Sequence, residues 1–255
     1  MSELALKLIA ENKKTRATFL DLGRCGLTEI PDEIGELVWL EWLLFNECYI
    51  DGNKLYVSQN TEVANNITDL SPLSALAQLQ TLFVSYTKIT DLSPLSVLTQ
   101  LQTLNVSSTE ITDLSPLSVL TQLQTLDISH TKITDLSPLS VLTQLQTLDV
   151  SSTEITDLSP LSALTKLQTL DVSSGTEITD LSPLSVLIKL QTLDVSNNEI
   201  TDLSPLSVLM QLQKLDVSHT EITDLSPVSV LTQLQRLNVD GTKITDLSPL
   251  SLIHI

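Results

Sequence analysis

Aromatic side chains are scarce in this chain of 255 residues, which has three Phe, two Trp and three Tyr. All of them precede residue 87, so the longer part of the chain has none. Cysteine is scarcer still: Cys25 and Cys48 are too few for a disulfide framework and agree with a reducing compartment. No apolar stretch approaches the roughly 18 residues of a membrane span. The opening residues, MSELALKLIAENKKTR, lack an apolar core followed by a small-residue cleavage site, so no signal peptide is expected and the expected location is cytoplasmic. Basic residues are few, 13 against 31 acidic ones, and a net charge of −18 repels phosphate backbones and anionic lipid. Nucleic acid and membrane surfaces are therefore not expected as partners. There is no glycine-rich phosphate loop, no Cys-His cluster and no G-x-S-x-G elbow. No catalytic residue, cofactor or metal is expected, and the chain does not read as an enzyme.

What the sequence has is repetition. Ser-Pro pairs place prolines at 72, 94, 116, 138, 160, 183, 205, 227 and 249, a spacing of 22 residues with a single 23 where Gly175 is inserted. Such a period signals a solenoid whose units touch only their neighbours. Within a unit the apolar residues fall at steps of three and then two, as in Ile111, Leu114, Leu117, Leu120, Leu123, Leu126 and Ile128. Leu126-Asp127-Ile128 reads as a short strand with two side chains inward and one outward. In Asp135-Leu136-Ser137-Pro138 the serine is the expected cap, and the proline the expected first residue, of a return limb that is helical or 3-10. The aspartates of the Thr-Asp-Leu-Ser motif, such as Asp113 and Asp135, read as caps or turn formers. One coil cannot enclose its own leucines, so stacking supplies the core.

The string Leu123-x-x-Leu126-x-Ile128-x-x-Thr131-x-Ile133 resembles the leucine-rich repeat signature, with threonine in the asparagine position. The short unit with Ser-Pro-Leu on its return limb resembles the bacterial internalin-like and phosphatase-regulatory subclass. That resemblance implies an α/β solenoid: a horseshoe with a parallel β-sheet on the concave face and short helical or 3-10 turns on the convex face. It also implies that Thr87, Thr109, Thr131, Thr153, Thr176, Asn198, Thr220 and Thr242 form a ladder bonding backbone groups in the turns. Cys25 and Cys48 fall at the same position in two earlier units and are expected as buried ladder thiols.

Residues 2–14 read as an amphipathic helix with Leu4, Leu8 and Ile9 on or near one face, covering the first coil. The next unit, LTEIPDEIGELVWLEWL, resembles the longer repeats of Roco-type proteins. From Cys48 to Asn65 there are 17 residues where 22 or 23 are expected, so the segment from Tyr49 to Asn66 is an irregular repeat or a surface loop. The expected organisation is a helical cap over 1–17, longer and irregular repeats over 18–66, and regular repeats over 67–255. After the last Ser-Pro-Leu no polar cap is visible. Two readings stay open there, a chain that continues into a longer protein and an end that self-associates.

The outward strand position reads Phe83, Asn105, Asp127, Asp149, Asp171, Asp194, Asp216 and Asn238. Five carboxylates therefore stack on adjacent strands about 5 Å apart, each neighbouring pair costing up to about 0.8 kcal/mol in water before screening. A solvated face, recognition of a basic protein surface and cation binding all remain open, although parallel side chains converge poorly on calcium. Like-charge neighbours are expected to raise the pKa of the middle member, Asp171. His130 and His219 hold equivalent positions four coils apart, about 19 Å at strand spacing, so they cannot share a metal. His254 stands alone.

Trp42, Leu44, Phe83 and Tyr86 occupy places that the template fills with Thr, Asp or Asn, Asp or Asn, and Ser or His. They form either an aromatic hot spot or a patch that the segment from Tyr49 to Asn66 covers. Phe45 is at an inward position and belongs to the core. The function expected is a protein-protein interaction scaffold that binds a partner, one with a basic surface, through the concave face. Recognition would be confined to departures from the template, chiefly these aromatics together with Lys214, His219 and Arg236. The alternative is the regulatory or sensing portion of a larger signalling protein such as a Roco-type GTPase.

Overall fold

The computed structural model describes residues 2–51, 54–174 and 177–252. Gly175, Thr176 and His254 lie outside the described residues, as do the side chains of Tyr49 and Tyr56. The chain forms two compact units that divide after Leu123.

The first unit opens with helix α1 (Glu3–Thr15), which starts where Ser2 Oγ accepts the Ala5 N–H and stops at Arg16, a left-handed residue with φ 54°. The helix buries Ala5, Ile9 and Asn12, while Leu4 and Leu8 are half-buried. Asn12 fastens the helix down. Its Nδ2 donates to the carbonyls of Ala17 and Phe19, and its Oδ1 accepts Trp39 Nε1–H at 3.0 Å. Arg16 lies 5.1 Å above the Trp39 ring, a cation–π contact that ties the helix end to the first coil. Strands β1 (Phe19–Asp21), β2 (Trp42–Leu44), β5 (Thr81–Phe83) and β6 (Thr103–Asn105) then pair in parallel.

Between β2 and β5 lies an antiparallel hairpin, β3 (Cys48–Asp51) and β4 (Lys54–Val57). Leu43 of β2 pairs in register with Leu82 of β5, 39 positions away and 17 more than the regular spacing. The irregular segment is therefore an insertion of 17 residues within one coil, and not a shortened repeat. This corrects the expectation for Cys48. The cysteine starts the hairpin and is exposed, whereas Cys25 is buried as expected. Asn65 takes the ladder position that Cys48 was expected to hold. It accepts the Leu27 N–H at 2.8 Å and donates to the carbonyls of Leu22 and Phe45.

The second unit is a parallel run of β7 (Thr125–Asp127), β8 (Thr147–Asp149), β9 (Thr169–Asp171), β10 (Thr192–Asp194), β11 (Lys214–Asp216) and β12 (Arg236–Asn238). The 3-10 form is the right one for the return limb, because three residues per turn matches leucines spaced by three. In the turn Ser137–Val141, Leu139 is buried and Ser140 and Val141 face outward. Of the two residues expected at the start of the turn, the aspartate and not the serine supplies the acceptor. Ser137 is itself the first residue of the turn, and the capping acceptor is Asp135, whose Oδ1 takes the Ser137 N–H at 2.8 Å. Leu126, Ile128, Leu136, Leu139, Leu142 and Leu145 are all buried, and each buried leucine contributes about 2 kcal/mol. Neighbouring coils exchange backbone bonds on both sides of the strand: Thr147 N–H to Gln124 O, and Ile128 N–H to Asp149 O. Among the described residues, no helix is long and apolar enough to cross a membrane.

Two kinds of ladder residue occur. Thr131 Oγ1 donates to the carbonyl of Ile128 at 2.6 Å, closing its own turn, and Thr153 and Thr220 do likewise. Asn198 reaches further. Its Nδ2 donates to Val195 O and Ser196 O in its own coil and to Val172 O in the preceding one, and its Oδ1 accepts the Ile178 N–H.

Candidate functional site

In the second unit the outward strand positions form a column: Asp127, Asp149, Asp171, Asp194 and Asp216 are cross-strand neighbours in register. Each is half-buried. Asp171 Oδ1 accepts both the N–H and the Oγ–H of Ser173, at 2.9 and 2.6 Å, and Asp127, Asp149 and Asp216 hold the serine two residues on in the same way. One oxygen of each carboxylate is thus engaged locally, which fixes the column in place. Burial pushes the carboxyls of Asp149, Asp171 and Asp194 up from the usual value against the opposing serine bonds. For Asp171 the direction is the one expected from the sequence, but burial is the larger cause, and the charges of Asp149 and Asp216 add to it.

A pH dependence follows. The folded protein holds these three protons to higher pH than the unfolded chain does, so stability rises as pH falls through the raised values. The turn aspartates act in the opposite sense. Serine side-chain and backbone bonds hold Asp69, Asp91, Asp135, Asp157, Asp180, Asp202 and Asp224 below the ordinary value, and their contribution is lost as pH falls through those lowered values. The urea midpoint is expected to climb from pH 7 toward about pH 4 and to drop below it. The triple change Asp149→Asn, Asp171→Asn and Asp194→Asn is expected to abolish the climb, and a flat wild-type profile would refute the burial argument.

The column ends on Asn238, and the threonine column beside it ends on cations. Lys214 and Arg236 are exposed neighbours across β11 and β12, and Asn238 Nδ2 donates to Asp216 Oδ2 at 2.8 Å. His219 is left-handed at φ 54°, and a Cβ on Gly241 would lie 2.4 Å from its Nδ1. Only glycine fits beneath that ring. Among the described residues, no three His, Cys, Asp or Glu side chains are placed to hold a metal ion.

In the first unit the aromatic patch divides. Leu44 is 2% exposed and Phe83 8%, so neither presents a recognition surface; Trp42 is half-buried, and Tyr86 is 75% exposed. The insertion is fastened beside Leu44. It leaves the coil just past Leu44 and returns through Ser58, whose Oγ donates to Asp21 Oδ1, the cross-strand neighbour of Leu44, at 3.0 Å. Asn60 Nδ2 donates to the carbonyls of Asp21 and Gly23. The patch is therefore not one exposed surface: Leu44 and Phe83 are buried and Tyr86 is exposed.

One surface feature escaped the sequence reading. Val141, Val186, Val208 and Val230 on the 3-10 side are about half exposed, and Ile188 and Met210 join them where the template has threonine. The signal was that pair of replacements, which the uniformity of the repeat obscured.

None of the curated proteins compared with this chain matches it. The family model of leucine-rich repeats (two copies) matches residues 99–141, 143–186, 165–208, 188–228 and 211–252. Among solved structures, an internalin (inlF) from Listeria monocytogenes is 32% identical, with a TM-score of 0.77 over 98% of this chain and 78% of that one. An internalin C2 from the same organism is 36% identical, with a TM-score of 0.66 over 68% of this chain and 76% of that one. The functional domain of InlJ, also from Listeria monocytogenes, is 25% identical, with a TM-score of 0.57 over 93% of this chain and 57% of that one. That domain includes a cysteine ladder. With its stacked parallel strands, lone 3-10 return limbs and recurring family match, the chain belongs to the leucine-rich repeat family as an internalin-like member.

Proposed function

We propose that this protein is a non-catalytic recognition module that binds a partner protein with a basic surface through the strand face, the concave one in the horseshoe that the family resemblance implies. The observation that carries the reading is the aspartate column. Each carboxylate keeps one oxygen tied to its serine, so the face is pre-organised and little ordering entropy is lost on binding. Charge of one sign set in register attracts an opposite surface from a distance and disfavours acidic competitors.

The test is affinity capture with the triple change Asp149→Asn, Asp171→Asn and Asp194→Asn beside wild type. Asparagine is compatible with the fold there, because Asn105 already holds Ser107 through the same two bonds. A protein retained by wild type, released by 0.5 M salt and lost by the folded variant is the expected outcome, with about tenfold weaker binding as the threshold. Equal retention by both would move the site off the column.

A further inference from the structure

We propose that the cleft between the insertion and the turn after β5 seats an arginine side chain of the partner, an inference that rests on the protein-binding reading. The cleft has a volume of about 400 Å³ and is walled by Phe45 and Ala64, with Glu47, Cys48, Ser85 and Tyr86 completing its lining. Its amides are already occupied: Asn46 Oδ1 accepts the Ser85 N–H, and Asn65 bonds three backbone groups.

Ser85 is the telling residue. In the next coil Ser107 gives its hydroxyl hydrogen to Asn105, and in a later one Ser129 gives its own to Asp127. Ser85 has Phe83 in that place, so its Oγ has no hydrogen-bond partner among the described residues, although the residue is only 3% exposed. Since among the described residues no fully enclosed side-chain oxygen lacks a partner, this hydroxyl opens onto the cleft, where a ligand atom can reach it. The Glu47 side chain is exposed and pairs with no cation among the described residues, while its backbone carbonyl is held by the Ser58 N–H. Tyr86 stands at a left-handed φ of 57° with its N–H on Ser107 O, which fixes where the ring begins. A carboxylate, a hydroxyl acceptor and an aromatic face around one slot match a guanidinium, which is planar, always charged and able to donate and stack at once. The apolar wall suits the three-carbon stem.

Cys48 supplies the probe, because it lines the cleft and is exposed. Cys25 is silent: burial, with the Asp21 and Glu62 charges adding to it, pushes its thiol up to about 12. Full-length protein is equilibrated with 2-mercaptoethanol and small disulfides that carry a guanidine, an amine or a urea on stems of equal length. The Cys48 thiolate displaces one thiol from each disulfide and keeps the other half, which intact mass reports. The guanidine is expected to label at about tenfold lower concentration than the urea. Glu47→Gln should remove most of that preference and Ser85→Ala about threefold of it, while the exposed Glu110→Gln leaves it unchanged. Tyr86→Ala should bring guanidine and amine level. Equal labelling by guanidine and urea, or a preference that survives Glu47→Gln, would overturn the assignment. If the preference holds while affinity capture finds no partner, the cleft stands and the protein-binding reading falls.

Discussion

Replacing Asn198 with Ala is expected to destabilise the second unit by about 3 kcal/mol, since each buried backbone group left unpaired costs about 1–3 kcal/mol. Two such groups are at stake, the Val195 carbonyl and the Ile178 N–H, while the Ser196 carbonyl keeps the Ser174 N–H. Asn198→Thr is expected to cost only about 1 kcal/mol, near the net worth of an ordinary hydrogen bond, because a threonine still closes its own turn as Thr220 does. Urea titration measures both, and hydrogen exchange at Ile178 reports the local opening. Equal losses for the two variants would mean that the bridge to the preceding coil contributes nothing. The placement has a reason. Asn198 follows the one regular unit of 23 residues, and Asn65 closes the coil that carries the insertion. Where the spacing changes, the ladder uses the side chain with the longer reach.

Deleting residues 48–64 is expected to leave the coil in register and to make the protein aggregate. The cut restores the 22-residue spacing between β2 and β5, with Asn65 following Glu47 in the ladder position, but it is expected to bare Leu44 and Phe83. Combining the deletion with Leu44→Asn and Phe83→Asn, the residue that Asn105 already places on that column, should return a monodisperse protein by size-exclusion chromatography. With the insertion intact, Phe83→Ala alone is expected to cost about 3 kcal/mol, as for other buried aromatics. A deletion that stays monodisperse without the asparagines would show that the insertion is not the cover.

The coil architecture was legible because its apolar residues repeat at fixed steps, and the burial of Leu126, Ile128 and Leu139 follows that pattern without exception. The errors arose where the pattern was applied through a break. Cys48 stands five residues past the inward Leu43, as Thr131 stands five past Leu126, yet the chain departs into the hairpin just before it. The sequence left an irregular repeat and a surface loop both open for this segment, and what decides between them is the pairing of β2 with β5. The serine cap failed for a different reason. Ser137 and Asp135 are both competent acceptors, and the choice depends on where the turn's first residue falls, which spacing leaves undetermined by two residues. At Asp171 the charge neighbours were visible in the repeat, but burial was not, because an alternating pattern marks a residue as outward without saying how much its serine and flanking strands cover it.

The sameness of the coils also bears on heredity. Stacked neighbours in the regular part present nearly the same leucines and the same backbone partners, so a coil lost or duplicated whole leaves matching surfaces at the new junction. A gene built this way can change by one repeat through unequal recombination and still encode a chain that folds. Length variation among alleles would then fall in the threonine coils, and the two asparagine coils, each fitted to an irregular neighbour, would keep their places.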